Sequence, residues 1–157
     1  QITLQSIYEL GIPTIWFWPN VDAGTDEVSK AIRIFREHYS PPGIRFLKYL
    51  PPERFLGLLK SSVCLVGNSS TGIKECSYLG IPVVNIGTRQ QGRLRGPNVI
   101  DVPHAIEPIK EAIRKQMQMG KYPSSNVYSQ AGVSQRLAEV LATIPLYVQK
   151  KFYEPVH

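Results

Sequence analysis

The segment "CLVGNSSTGIKECSYLGIPVVNIGTRQQGR", residues 64–93, contains two short apolar runs, and small polar residues or an arginine follow each run. The first run ends in Gly-Asn-Ser-Ser-Thr-Gly at residues 67–72, and the second ends in Gly-Thr-Arg at residues 87–89. Residues 71–80, between the runs, have helical spacing. A strand, a helix and a second strand in this order predict a parallel pair whose carboxyl ends meet at one edge of a sheet. Ligands of open parallel sheets bind at this edge.

The same alternation of short apolar runs and helical spacings continues on both sides of this segment. Strands are predicted at residues 14–18, 44–50, 63–67, 82–87 and 98–102. Helices are predicted at residues 3–10, 25–39, 52–62, 71–80, 104–119 and 131–144. We therefore predict an α/β fold, a Rossmann-like parallel sheet with helices on both faces, in a single domain over residues 1–157.

The composition is typical of a globular protein, with 43% hydrophobic and 19% charged residues. No apolar run reaches the roughly eighteen residues that a membrane-spanning helix needs. The opening sequence QITLQSIYELG lacks the features of a signal peptide, starts with Gln rather than Met and begins within a helical pattern. Cys64 and Cys76 are expected to be buried small apolar residues, compatible with a reducing compartment. We therefore expect a cytoplasmic fragment of a longer protein, without a membrane partner.

The net charge of +6 is compatible with nucleic acid, a membrane surface or a small anionic ligand as partner. No Gly-x-Gly-x-x-Gly motif follows a predicted strand, which argues against a nicotinamide or flavin site. The histidines, at residues 38, 104 and 157, lack metal-ligand spacing, so we expect no metal and no cofactor. The basic stretches lack interleaved aromatic residues, which argues against a nucleic-acid partner. The charge and composition alone do not choose among the three classes of partner.

The turn at residues 67–72 has the composition of a phosphate site. It opens a predicted helix, where unpaired backbone N–H groups and the helix dipole favour an anion. Its small residues let a phosphate approach the backbone, and the hydroxyls of Ser69 and Ser70 can donate to that phosphate. Serine is also one of the commonest residues at a helix N-cap, so the pair on its own favours a structural role by roughly two to one.

Glu75 and Arg89 are two further candidate ligand contacts. Glu75 lies about one turn into the predicted helix, and a capping box would need Ser or Thr at residue 72, which is Gly. Its carboxylate can accept two hydrogen bonds from a ribose diol, although a solvated helix glutamate is an equal alternative. Arg89 follows the next strand, where its guanidinium can bind a phosphate through a pair of hydrogen bonds. A nucleotide would use both groups.

Three other polar residues are expected near the same edge. Arg93 and Arg95 follow Arg89 in the loop, and we interpret both as solvated loop charges. Asn20 follows the strand at residues 14–18, where it either caps a turn or contacts the ligand.

Three stretches, WFWPNVDAG (16–24), VGNSSTGIKE (66–75) and PVVNIGTRQQGR (82–93), closely resemble the C-terminal domain of UDP-N-acetylglucosamine 2-epimerases. The similarity extends over about residues 1–145 and is greatest to the hydrolysing branch, which supplies sialic acid and related nonulosonic acids. The non-hydrolysing branch tends to carry an Asp-Ser-Gly-Gly turn and a Thr-Glu-Arg-Pro loop. This sequence contains neither.

The resemblance implies a GT-B-like enzyme with two Rossmann-type domains and the substrate between them. It implies that Ser69, Ser70 and Glu75 bind the diphosphate and ribose of UDP, and that Arg89 contacts the same nucleotide. Asn20 matches a family position that contacts UDP. The implied partner is therefore UDP-GlcNAc or a related UDP-sugar.

The resemblance also implies the reaction. UDP is eliminated from UDP-GlcNAc to leave a glycal intermediate, and water then adds to give N-acetylmannosamine, without a metal or a redox cofactor. The groups that transfer protons belong mostly to an N-terminal domain, including a histidine just upstream of residue 1. We therefore expect this chain to bind the nucleotide, to need that missing domain for turnover, and to be inactive alone. A homo-oligomer is compatible with the sequence.

The family domain begins with a central strand that would precede the helix at residues 3–10. Without that strand, the strand at residues 14–18 would be separated from the strand at 63–67, and two sheet edges would be exposed. Either the polypeptide extends upstream, or the sheet closes directly or with the help of another chain, and the sequence does not choose among these arrangements.

Two other functions are compatible with parts of the pattern. A GT-B glycosyltransferase would use the same serine and glutamate contacts to UDP, but would transfer the sugar to an acceptor. A basic nucleic-acid-binding domain would bind with a steep dependence on salt and would be indifferent to UDP.

Overall fold

The computed structural model describes residues 1–19, 25–39, 41–145 and residue 149. Its helices are α1 (Ile2–Leu10), α2 (Thr25–Tyr39), α3 (Pro52–Ser61), α4 (Ser70–Ile73), α5 (Glu75–Leu79), α6 (Ile106–Met119) and α7 (Val133–Thr143). Its strands are β1 (Thr14–Phe17), β2 (Ile44–Leu47), β3 (Leu65–Gly67), β4 (Val83–Ile86) and β5 (Val99–Val102). Helices and strands alternate from α1 to β4, with two short helices, α4 and α5, between β3 and β4; β5 then follows β4 directly, and α6 and α7 end the series.

All the strand pairs of the described residues are parallel. β1 pairs with β2, and β4 lies between β3 and β5 in a second sheet. Every residue of β4 is buried, which fits the central strand of a sheet covered on both faces. The predicted α/β class, Rossmann-like with parallel strands, is confirmed.

The two sheets are separate: within the described part of the chain, β1 and β3 are not paired with each other. This separation fits the absence of the central strand that the family resemblance places before α1, and the two sheets do not close directly on each other in the described residues. Both sheets nevertheless pack against one apolar core, which α1, α2 and α6 complete. Its buried members are Leu4, Ile7, Ile32, Phe35, Ile44, Val84, Ile86, Ile109, Ala112 and Ile113. Helix packing therefore joins the two sheets where hydrogen bonds do not.

A second apolar cluster lies under α3 and α5 and contains Leu59, Cys76, Ile81 and Val83. Cys76 is buried and Cys64 is half-buried, and both are free thiols. Burial raises the pKa of each thiol to about 12, which keeps both protonated at neutral pH. The prediction that both cysteines act as small apolar residues agrees with this environment.

Buried amide side chains fix α5 and α6 against the three-stranded sheet. Nε2 of Gln116 donates to the carbonyl oxygens of Val83 and Asn98, each at 2.8 Å, and the Tyr122 hydroxyl donates to Oε1 of Gln116 at 2.7 Å. The side chain of Asn98 accepts from Ser77 at 3.0 Å and donates to the carbonyl of Ile81. These bonds connect neighbouring elements at fixed positions, and so they set how the helices lie on the sheet.

The single helix predicted over residues 71–80 is interrupted. α4 ends at Ile73 and α5 begins at Glu75, with Lys74 between them at φ −96° and ψ −76°. Oγ of Ser77 lies 2.8 Å from the carbonyl oxygen of Ile73 and 3.0 Å from Oδ1 of Asn98, so its single proton is shared between these two acceptors. Such side-chain bonds compete with the helical pattern and bend helices.

No helix in the described ranges is both long enough and apolar enough to cross a membrane.

Candidate functional site

The polar turn, residues 67–72, lies at the carboxyl end of β3 and is open to solvent. Ser69 is exposed and Ser70 is half-buried, so neither hydroxyl is enclosed in the core. Oγ of Ser69 caps α4 by accepting a hydrogen bond from the backbone N–H of Thr71 at 3.3 Å. Ser69 therefore does act as a helix N-cap. Because its Oγ only accepts in this bond, the hydroxyl proton remains available to donate to a ligand. Because α4 has only four residues, its dipole contributes less than the predicted ten-residue helix would.

The arginine loop, residues 87–95, follows β4 at the same edge of the sheet. Gly87 opens it with φ +77°, and a Cβ placed on Gly87 would lie 2.6 Å from Nε2 of His104. The loop then turns tightly, since the backbone N–H of Gln91 donates to the carbonyl of Thr88 at 2.9 Å. Arg89 lies in this turn, and its side chain is exposed.

The polar turn and the arginine loop are in direct contact. Nε2 of Gln90 donates to the carbonyl oxygen of Asn68 at 2.8 Å, and Gln90 is only 2% exposed. The strand register explains why they meet, because Gly67 at the end of β3 lies opposite Asn85 on β4. The two elements that the sequence pattern predicts at one edge thus lie side by side there, with exposed polar side chains on both.

Comparison with known proteins adds a second, independent observation. A family model described as UDP-N-acetylglucosamine 2-epimerase matches residues 2–142. The chain belongs to this family. Its members include a UDP-N,N'-diacetylbacillosamine 2-epimerase (hydrolyzing) of Legionella pneumophila, to which the chain is 34% identical over 95% of its own length and 40% of the relative's.

Two further proteins support the same family and fold. The chain is 31% identical to a UDP-N-acetylglucosamine 2-epimerase of Neisseria meningitidis over 89% of its length and 38% of the relative's. The crystal structure of the Methanocaldococcus jannaschii UDP-GlcNAc 2-epimerase, solved with UDP-GlcNAc and UDP, superposes with a TM-score of 0.68 at 16% identity. That superposition covers 90% of this chain and 38% of the archaeal one, and it establishes the Rossmann-like fold of the GT-B type. The chain spans about 40% of the length of the curated relatives it matches.

Of the two remaining residues that the family resemblance singles out, the structure describes Glu75 but not Asn20. Glu75 is the first residue of α5, with an exposed side chain. It thus lies just beyond α4, which the serine turn opens. Asn20 lies outside the described residues. The structure therefore places Ser69, Ser70, Glu75 and Arg89 on accessible positions at or near the carboxyl ends of β3 and β4.

The interpretation of Arg95 as a solvated loop charge is wrong. Its Nε lies 2.6 Å from Oδ2 of Asp101, and its Nη2 lies 3.2 Å from Oδ1, so the pair is fork-like. Nη1 of Arg95 also donates to the carbonyl oxygens of Gln90 and Arg93 at 2.9 and 2.7 Å. Arg95 is thus a structural residue of the arginine loop, whereas Arg93 is exposed as expected.

Asp101 is held in its ionised form. Burial raises the pKa of its carboxyl, but the hydrogen bonds from Arg95 and from Nδ2 of Asn85 outweigh burial, and the pKa lies below its ordinary value.

The residues Asn85, Gln90 and Asp101 were not among the sequence candidates. A signal for two of them was nevertheless present. Asn85 and Asp101 are polar residues inside apolar strands, and the parallel register places them opposite each other on β4 and β5. Gln90 has no such signal, because its partner Asn68 lies 22 residues away in the sequence.

Proposed function

We propose that this chain forms the UDP-binding part of a hydrolysing UDP-N-acetylglucosamine 2-epimerase and that it binds UDP-GlcNAc or a closely related UDP-sugar. The observation that carries the proposal is the hydrogen bond from Gln90 to Asn68, since it holds the loop of the exposed Arg89 against the serine turn. The hydrolysing activity in the name of the Legionella relative, which aligns over 95% of this chain, supports the branch.

Each candidate side chain has a role that suits its chemistry. The hydroxyls of Ser69 and Ser70 donate to the diphosphate, and the guanidinium of Arg89 binds it from the neighbouring loop. The carboxylate of Glu75 accepts hydrogen bonds from the ribose hydroxyls. Asn20 contacts the nucleotide in this proposal on the strength of the family resemblance.

The proposed reaction needs these groups to act on the leaving group. The bond from C1 of the sugar to the diphosphate oxygen breaks as a proton leaves C2, which gives a glycal and UDP. Water then adds to C1 and a proton returns to C2, which gives N-acetylmannosamine. Negative charge grows on the departing diphosphate, and Arg89 and the serine hydroxyls stabilise it. We assign the proton transfers to an N-terminal domain outside this chain, so the chain alone binds without turnover.

Calorimetric titration of the full-length protein with UDP tests the site. We expect Arg89→Ala to weaken binding about tenfold to a hundredfold, because a charge-assisted pair of hydrogen bonds to phosphate is lost. Arg93→Ala removes the same charge from an exposed position of the same loop and is the matched control, with affinity close to the wild type. Equal affinity in all three proteins would contradict the site. A wild-type protein that does not bind UDP would contradict the proposed function.

Product analysis tests the reaction. Incubation of the full-length protein with UDP-GlcNAc is expected to release UDP and free N-acetylmannosamine. A 2-epimerised UDP-sugar would instead indicate the non-hydrolysing reaction, and release of UDP only with an acceptor would indicate a glycosyltransferase. Turnover by the 157-residue chain alone would overturn the assignment of the proton transfers to another domain.

A further inference from the structure

Gln90 differs from every other residue of the arginine loop. It is 2% exposed, whereas the others are half-buried or exposed. Its neighbour Arg89 points a charged side chain toward solvent. Arg89 and Gln90 are consecutive residues. The contacts that hold the buried Gln90 in place therefore also fix the position of the Arg89 backbone.

Gln90 is held from both sides. Its Nε2 donates to the carbonyl of Asn68 at 2.8 Å, and its own carbonyl accepts from Nη1 of Arg95 at 2.9 Å. Arg95 is in turn paired with Asp101, which also accepts from Asn85 at 2.6 Å. A continuous series of hydrogen bonds therefore runs from the polar turn through Gln90 to the middle and edge strands of the sheet.

The side chain of Gln90 is a poor choice for stability alone. Its Oε1 is buried and accepts no hydrogen bond from the described residues. A half-satisfied buried amide contributes little net stability, and an apolar side chain of the same length would fill this space as well. The function of the amide is therefore to be sought in the bond that it does make, which joins the two loops of the candidate site.

We propose that Gln90 is a positioning residue of the phosphate site, which sets the distance between the Arg89 guanidinium and the serine turn. This inference rests on the proposed function. Gln90 does not contact the ligand: by tying residues 87–95 to residues 67–72, it keeps both halves of the site in their binding arrangement before the ligand arrives. Such preorganisation raises affinity because less conformational freedom is lost on binding.

Gln90→Met and Gln91→Met form a matched pair for the test, since adjacent glutamines, one buried and one exposed, receive the same replacement. In calorimetric titrations of the full-length protein, we expect Gln90→Met to weaken UDP binding about tenfold and Gln91→Met to leave it unchanged. Uridine, which has no phosphate, is expected to bind wild type and Gln90→Met with equal affinity. The thermal unfolding temperature of Gln90→Met is expected to stay close to that of the wild type.

A double-mutant cycle shows whether Gln90 acts through Arg89. In an Arg89→Ala background, Gln90→Met is expected to change UDP affinity less than about twofold, because the group that it positions is already absent. Additive losses would overturn the proposal. If Gln90→Met does not fold, Gln90→Leu replaces it, since Leu is uncharged and also removes the N–H donor, and the same selective loss is expected.

The outcomes separate this inference from the proposed function. Failure of the wild type to bind UDP contradicts the proposed function. UDP binding by the wild type with unchanged affinity in Gln90→Met overturns the role of Gln90 alone. Equal losses for UDP and uridine in Gln90→Met also overturn it, because they indicate a general effect on the fold.

Discussion

Asn85 and Asp101 lie opposite each other on neighbouring parallel strands, and Nδ2 of Asn85 donates to Oδ1 of Asp101 at 2.6 Å. Asp101 also forms an ion pair with Arg95. Nη1 of Arg95 in turn donates to the backbone carbonyl oxygens of Gln90 and Arg93 in the arginine loop. Two strands of the sheet thus determine the shape of a loop that projects beyond them. Substitutions can test the connection from Asp101 to Arg95, the proposed ribose contact of Glu75, and the packing of the helices on the sheet.

Asp101 makes the stability of the protein depend on pH. Its pKa is lowered in the folded state, so the stability that it contributes is present above the unfolded pKa, about 4, and is lost as the pH falls through the lower folded value. We expect Asp101→Asn to be less stable than the wild type at pH 7 by about 1 kcal/mol or less, because solvent screens this half-exposed pair. The difference should shrink at about pH 3.

Urea denaturation at both pH values measures this effect, with Glu111→Gln, an exposed acid inside α6 and away from the helix ends, as the control. A difference between Asp101→Asn and the wild type that persists undiminished at the lower pH would contradict the ion-pair explanation.

Glu75 is expected to recognise the ribose. A carboxylate that accepts hydrogen bonds from the ribose diol should make the wild type bind UDP about tenfold more tightly than 2′-deoxy-UDP. In Glu75→Gln this ratio should fall toward unity, whereas Glu111→Gln, on the exposed face of α6, should retain it. Competition titrations of both nucleotides measure the ratio, and an unchanged preference in Glu75→Gln would remove Glu75 from the site.

Gly72 is expected to be needed for the close packing of α4 on β4. A Cβ at this position would lie 2.8 Å from Cγ1 of Val83, so Gly72→Ala should destabilise the fold by about 1–3 kcal/mol. Gly57, on the exposed face of α3, provides the matched control, because a Cβ added there would have no other atom within 4 Å. Gly57→Ala should stabilise the protein by about 0.5–1 kcal/mol, because alanine loses less backbone freedom in a helix. Denaturant unfolding of both variants checks the opposite signs, and destabilisation of equal size in both would be inconsistent with this packing.

Gln116 is expected to be the most sensitive polar residue of α6. Gln116→Leu removes donors from the carbonyls of Val83 and Asn98 and leaves the Tyr122 hydroxyl without its acceptor, at a cost of about 2–4 kcal/mol. Gln118→Leu, on the exposed side of the same helix, should change stability by less than about 0.5 kcal/mol. The free energy of unfolding in urea distinguishes them, and similar values for the two variants would show that the buried amide is not important for the fold.

Much of the secondary structure could be predicted because the signals are local. The apolar run that forms β4, with all four residues buried, and the helical spacing of α6 are both visible within a few residues. The helix break at Lys74 could not be predicted in this way. It accompanies a hydrogen bond from Ser77 to the carbonyl of Ile73, and Ser77 also bonds to Asn98, which is distant in sequence.

In the candidate site, too, some residues could be predicted from local sequence and others could not. The positions of Ser69, Ser70, Glu75 and Arg89 after two predicted strands single them out as candidates, and their ligand role stays a prediction. Arg95 was misjudged because an arginine in a loop sequence carries no sign of its partner. Asp101 lies on the next strand, and only the folded sheet brings the two side chains within 2.6 Å.

By itself, the sequence determined the order of helices and strands, the parallel arrangement and the identity of the polar side chains at the carboxyl ends of the strands, because apolar periodicity and turn residues act over short stretches of chain. The tertiary structure alone decided that one apolar core joins the two separate sheets, that Gln90 ties the two loops together, and that Arg95 supports a loop. These features depend on contacts between residues of different elements, and the strand register and helix packing that create such contacts are set by the whole core.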